Sequence, residues 1–144
     1  MSQTFAPPQS SLDKLDAALG RLAARHGFCR ISPEQPFAPG AGLAVLLLTD
    51  DPQRNPESLD VAVVLPEALA SLKLDAARWA ADSRESPALA RQYGVQRYPA
   101  VVVFQDGAYL GAFSGILDWA PFLESLARLV ASQPSRPPIS IARA

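Results

Sequence analysis

Apolar and polar positions alternate in blocks of distinct period along this chain. From Leu12 to Ala23, Leu12, Leu15, Leu19, Leu22 and Ala23 recur at helical spacing behind Ser10 and Ser11, either of which can cap the helix. Gly27 offers a left-handed stop. Phe28–Ser32 has the length of a short strand. Leu43–Thr49 is apolar on both faces, as a buried parallel strand is. A polar, turn-rich loop follows, then a helix over 61–72 with Pro66 inside it, which should bend it. A second strand is expected near Arg78–Asp82. Ser86-Pro87 reads as a capping side chain followed by proline at the first helical position, with Gly94 as the stop. Ala100–Gln105 is a strand rich in β-branched residues. Asp106-Gly107 is a hairpin turn signal, and 109–115 is the return strand. Asp118 is placed to cap a last helix whose apolar face is Trp119, Phe122, Leu123, Leu126, Leu129 and Val130.

The predicted order is helix, strand, strand, helix, strand, helix, strand, strand, helix. It specifies an α/β fold with a mixed central sheet and helices on both faces. The domain is expected over 12–131, between an N-terminal tail, 1–11, and a Pro-rich C-terminal tail, 132–144, of which 134–144 should be poorly ordered.

Composition narrows the function. The 144 residues suit one domain, and 49% apolar residues are enough for a core. A formal charge of −1 gives no basic field to recruit nucleic acid. The first fifteen residues lack the basic and apolar regions of a secretory signal, and no apolar run is long enough to span a bilayer. These features fit a soluble cytoplasmic protein. One cysteine, Cys29, rules out an internal disulfide or a multi-cysteine metal site, and no cofactor motif is present: the "GAG" at 40–42 lacks the surroundings of a phosphate loop. Cys29 is expected to be a small buried hydrophobe.

"LARQYGVQRYPAVVVFQDGAYLGAFSG", within 88–130, resembles the second half of thioredoxin. The resemblance implies a thioredoxin-like three-layer sandwich with a cis peptide at Tyr98–Pro99, where the main chain of Tyr98 can pair with an extended peptide. The first half departs from that family. If Pro66 is the helix proline, Ser58-Leu59-Asp60-Val61 stands where the two cysteines would. No register supplies a thiol, so two-thiol exchange is excluded.

Two stretches together, "LLLTDDPQRNPESLDVAVVLPEAL" and "VQRYPAVVVFQDGAYLGAFSGILDWAPFL", resemble the hydrogenase expression/formation proteins of the HyaE/HupG type over roughly 12–131. That resemblance implies a cytoplasmic, non-catalytic chaperone of uptake [NiFe]-hydrogenase maturation. Its partner would be the twin-arginine signal peptide of the small-subunit precursor, with other maturation proteins as further partners. A guanidinium pair calls for carboxylates beside an apolar groove. Asp50, Asp51, Glu57 and Asp60 are the candidate arginine contacts; Arg97, Tyr98, Pro99 and Trp119 complete the candidate site. Each has a plainer reading: Asp60 as a helix cap, Arg97 as a solvated spacer, Tyr98 as packing, Trp119 as core. Two alternatives stay open: a thioredoxin-like subunit of a larger complex, and a one-thiol oxidoreductase using Cys29.

Overall fold

The structure, a computed structural model, describes residues 10–138. Nine elements follow in the expected order: α1 (Ser11–His26), β1 (Phe28–Arg30), β2 (Leu43–Leu48), α2 (Glu57–Ser71), β3 (Ala77–Ala81), α3 (Ser86–Tyr93), β4 (Ala100–Gln105), β5 (Ala108–Ser114) and α4 (Trp119–Val130).

The sheet order is β1-β3-β2-β4-β5. β3 runs parallel to both β1 and β2, and β4 is antiparallel to β2 and β5. The expected buried parallel strand, β2, is therefore parallel to one neighbour and antiparallel to the other. It is the middle strand, so its side chains are covered on both faces: Val45 and Leu47 point to one core, Ala44, Leu46 and Leu48 to the other.

The helices are shared unequally between those faces. α1, α2 and α4 supply Leu15, Leu19, Leu22, Leu65, Leu69, Phe122 and Leu126 to one core. The other face carries α3 alone among the helices, and aromatic rings fill the remaining space. Phe37, from the loop between β1 and β2, packs at 5.4 Å from Trp79 and 5.1 Å from Phe104; Tyr93 packs at 5.0 Å from Phe104.

The hairpin turn is as expected. Asp106 and Gly107 have φ of 51° and 82°, the left-handed pair that a two-residue turn between twisted strands demands. Asp106 also holds the start of β2: its Oδ1 accepts from the Gly42 amide at 2.8 Å, and its own amide donates to the Gly42 carbonyl at 2.9 Å. The glycines at 40–42 thus belong to a strand entry.

Several local expectations are corrected. α2 begins at Glu57, four residues before Val61, so Asp60 lies inside its first turn and is no cap; Pro56 holds the cap position without a side-chain bond. Asp118 holds the cap position of α4, also without a side-chain bond. Ser86 does not cap α3, because its hydroxyl is spent between strands; Asp82 Oδ1 accepts from the amides of Arg84 and Glu85 instead. Leu12 and Ala23 lie on the solvent side of α1, Leu12 being 50% exposed, because the buried stripe runs through Leu15, Ala18, Leu19 and Leu22. Cys29 is exposed, because β1 is an edge strand and Phe28 takes its inward position. Of the tail residues expected to be poorly ordered, 134–138 run against the domain, where the Ser135 amide donates to the Tyr109 carbonyl at 2.8 Å; the remainder, like residues 1–9, lie outside the described residues.

Candidate functional site

Three connections meet at one end of the sheet: the loop from β2 to α2, the segment before β4, and the segment after β5. Between them lies an open cleft of ≈ 330 Å³. Asn55 and Glu57 line it from the first connection, Gln96 to Pro99 from the second, Gly115 and Leu117 from the third. The Tyr98–Pro99 peptide is cis, as expected. Gln96, Arg97 and Tyr98 make no backbone–backbone hydrogen bond among the described residues. Among the described residues their amides and carbonyls are thus left without a backbone partner, the requirement for adding an extended peptide.

Four of the eight candidate residues line this cleft: Glu57, Arg97, Tyr98 and Pro99. Pro99 is buried, Tyr98 half-buried and Arg97 exposed. Arg97 lays its guanidinium over Gly115, where a Cβ would sit 3.7 Å from Cζ. Burial first, and the Asp50 charge second, push the Tyr98 phenol above its ordinary range, while Arg91 pulls the other way. Asp60 lies one turn along α2 from Glu57, exposed. Trp119 is 45% exposed at the start of α4 and does not line the cleft, so it is not a core residue.

Asp50 and Asp51 are engaged within the fold. Arg54 clamps Asp50 with two bonds, Nε to Oδ2 at 3.2 Å and Nη2 to Oδ1 at 2.8 Å, and Asn55 Nδ2 donates to Oδ2 at 2.8 Å. The Arg54 bond above all holds the Asp50 carboxyl below its ordinary value of 3.8, against opposing desolvation. Asp51 Oδ1 accepts from the Ser11 hydroxyl and, at 3.0 Å, from the Gln53 amide, tying α1 to the loop and lowering its own pKa. A depressed folded-state pKa contributes stability that is complete above the unfolded value and lost as pH falls through the folded one. The stability gap between wild type and Asp50→Asn should therefore close as the solution is acidified below about pH 4. Urea titrations at pH 7 and pH 3 check it; a gap that does not change with pH would contradict it.

With Pro66 taken as the counterpart of thioredoxin's helix proline, the positions of the two thiols fall in the core. Ser58 is 0% and Val61 3% exposed. The Ser58 hydroxyl accepts from the Asp50 amide at 3.1 Å and so fixes the loop. A second buried relay lies beside it. The Thr49 hydroxyl donates to the Ala81 carbonyl at 2.6 Å, and the Thr49 amide donates to Ser86 Oγ at 3.0 Å. Ser86→Ala strands that buried amide and should cost about 1–3 kcal/mol in urea unfolding; a loss under about 0.5 kcal/mol would mean that another acceptor takes over.

Asn55, Gln96, Gly115 and Leu117 were not legible as site residues, since their only signal is proximity across three loops. Arg54 stood in the acidic loop, but nothing in the sequence marked it as Asp50's partner. Cys29 lies on β1, with β3 and β2 between it and β4. Among the described residues no three His, Cys, Asp or Glu side chains group to hold a metal ion, and no helix is long and apolar enough to cross a membrane.

Comparison with known proteins bears on the fold and the family. The fold is similar to a thioredoxin variant from Halobacterium salinarum, with TM-score 0.50 and 22% identity over 65% of this chain and 80% of that one. It is also similar to human ERp44 in its zinc-bound form, with TM-score 0.53 and 14% identity over 70% of this chain and 29% of that one. These likenesses establish the thioredoxin-like fold alone. Sequence relatives are closer. The hydrogenase expression/formation protein HoxO of Cupriavidus necator is 34% identical, covering 95% of this chain and 88% of its own length. The HoxO protein of Azotobacter vinelandii is 35% identical over 85% of this chain and 78% of its own. HupG of Bradyrhizobium diazoefficiens is 37% identical over 61% of this chain and 60% of its own. Residues 19–122 match the family described as hydrogenase-1 expression protein HyaE. With a family match over most of its length and these relatives, the chain belongs to the HyaE family of hydrogenase expression proteins.

Proposed function

We propose that this protein is a non-catalytic chaperone of [NiFe]-hydrogenase maturation that docks the twin-arginine signal peptide of the small-subunit precursor in the cleft beside Tyr98–Pro99. The observation that carries this reading is the main chain of Gln96, Arg97 and Tyr98, which makes no backbone hydrogen bond among the described residues and runs along an open cleft. An extended peptide adds to such an edge through main-chain bonds, and side chains at the rim set its identity. The rim holds carboxylates. Glu57 lines the cleft, and Asp60 stands a turn away. Asp50 already seats one guanidinium, that of Arg54, in the two-pronged geometry that arginine recognition uses.

Co-purification tests the partner. The chain should retain the small-subunit precursor and release the same subunit once its signal segment is removed. Equal retention of both forms would favour the second reading, a subunit that stays in a larger complex. The one-thiol alternative draws no support from the placement of Cys29, on the opposite edge strand from β5.

A further inference from the structure

The cis-proline cleft has a neighbour on the same side of the molecule. A second trough of ≈ 230 Å³ runs over the sheet face that α3 covers only in part, between the segment after α3 and β5. Its lining is largely apolar: Val95, Ala100, Tyr109, Ala112 and Pro138. Gln96 and Arg97 line both the trough and the cleft, so the two adjoin at these residues.

Part of this trough is already taken by polypeptide. After α4 the chain rounds the outer edge of β5, with the Ser135 amide donating to the Tyr109 carbonyl at 2.8 Å. Pro138 then rests at the trough's end against Gly94. Gly94 has φ 69°, and any Cβ there would collide with the Pro138 carbonyl, so the backbone of the tail sits directly on the backbone of the α3 cap. An apolar residue of its own tail, Pro138, is thus what the trough's end accepts.

We infer that the trough is a second peptide subsite, which takes the apolar stretch of the same extended peptide whose neighbouring residues pair with Gln96–Tyr98, and that the chain's own 135–138 segment competes for it. This rests on the peptide-docking reading above. Three features favour that occupant. The trough adjoins the cleft at Gln96 and Arg97; small side chains at Ala100 and Ala112 leave room for larger apolar ones; and Pro138 of this chain already fills one end of it. Arg97 stands at the junction with no ion pair among the described residues, so its side chain is free to swing as a peptide crosses.

The test uses two synthetic peptides on the full chain: a twin-arginine sequence with its following apolar stretch, and the same peptide ending before that stretch. The long peptide should bind about tenfold tighter than the short one. Ala112→Leu fills the trough and should reduce the long peptide's affinity to that of the short one, whose own affinity stays unchanged. Removal of residues 135–144 should strengthen binding of the long peptide alone. This arm does not depend on how Ala112→Leu folds. Equal binding of the two peptides by wild type would overturn the trough as a subsite and leave docking at Tyr98 standing. Binding of neither would overturn the docking reading and this inference with it. No gain on removing 135–144 would overturn the competition.

Discussion

Phe104→Ala should destabilise the protein by about 3–5 kcal/mol, the largest effect expected from a single truncation here. Phe104 is 1% exposed and lies on the face that has one helix. Phe37, Tyr93 and Tyr109 all pack on its ring, with centroids at 5.1, 5.0 and 6.3 Å. Those rings occupy the space that a second helix would fill, and they converge from a loop, a helix and a strand. Their backbones are set by separate elements, so the site cannot collapse cheaply around a smaller side chain. Single domains are stable by roughly 5–15 kcal/mol, so this loss threatens the fold itself. Urea unfolding reads it as a fall in midpoint with little change in slope. Val63→Ala, at a position 62% exposed on α2, is the control and should change stability by less than about 0.5 kcal/mol. A Phe104→Ala loss below about 1.5 kcal/mol would mean that the aromatic layer is far more plastic than its geometry implies.

Glu57→Lys should weaken binding of a twin-arginine peptide at least about tenfold, or about 1.4 kcal/mol, while Asp51→Asn should leave it unchanged. The four acids look alike in sequence but are differently placed. Asp51 is held by Ser11 and the Gln53 amide, and Asp50 by Arg54 and Asn55. Glu57 faces the cleft and Asp60 lies exposed beside it, neither in an ion pair among the described residues. Reversing the charge of Glu57 replaces attraction for a guanidinium with repulsion, next to the cation that Arg97 already supplies. Raising the salt concentration should shrink the difference, since the cleft is open to solvent. Calorimetry on the two variants separates the acids; equal losses for both would return the contact to the loop as a whole.

The element order and the central topology were legible because they rest on strong local signals. The doubly apolar run of β2, the Asp-Gly turn and the Tyr98-Pro99 dipeptide each have few alternative readings. Helix starts were less legible. Ser86-Pro87 has the residues of a cap, but a buried amide of Thr49 claims the serine hydroxyl, a demand made by a residue 37 positions away. Pro56 and Glu57 read as turn residues, which moves the expected start of α2 to Val61, yet proline is well accommodated at a helix entrance, where its missing amide has no intrahelical acceptor to lose. Cys29 was expected inside on residue type alone; a three-residue edge strand leaves its alternate face to solvent. At the site, the sequence marked the acidic loop and the cis-proline segment, but not which acids were already engaged within the fold. That depends on Arg54 folding back by four residues and on Ser11 reaching across from α1, neither of which leaves a periodic trace.

Calorimetric titration of the full chain with the signal peptide of its hydrogenase small subunit, beside the same peptide with both arginines changed to lysine, tests the central claim most directly. Carboxylates that read a planar guanidinium through paired bonds should hold the arginine peptide at least about tenfold more tightly than the lysine peptide. Equal affinities would contradict recognition of the arginine pair, and no binding of either peptide would contradict docking in the cleft beside Tyr98–Pro99.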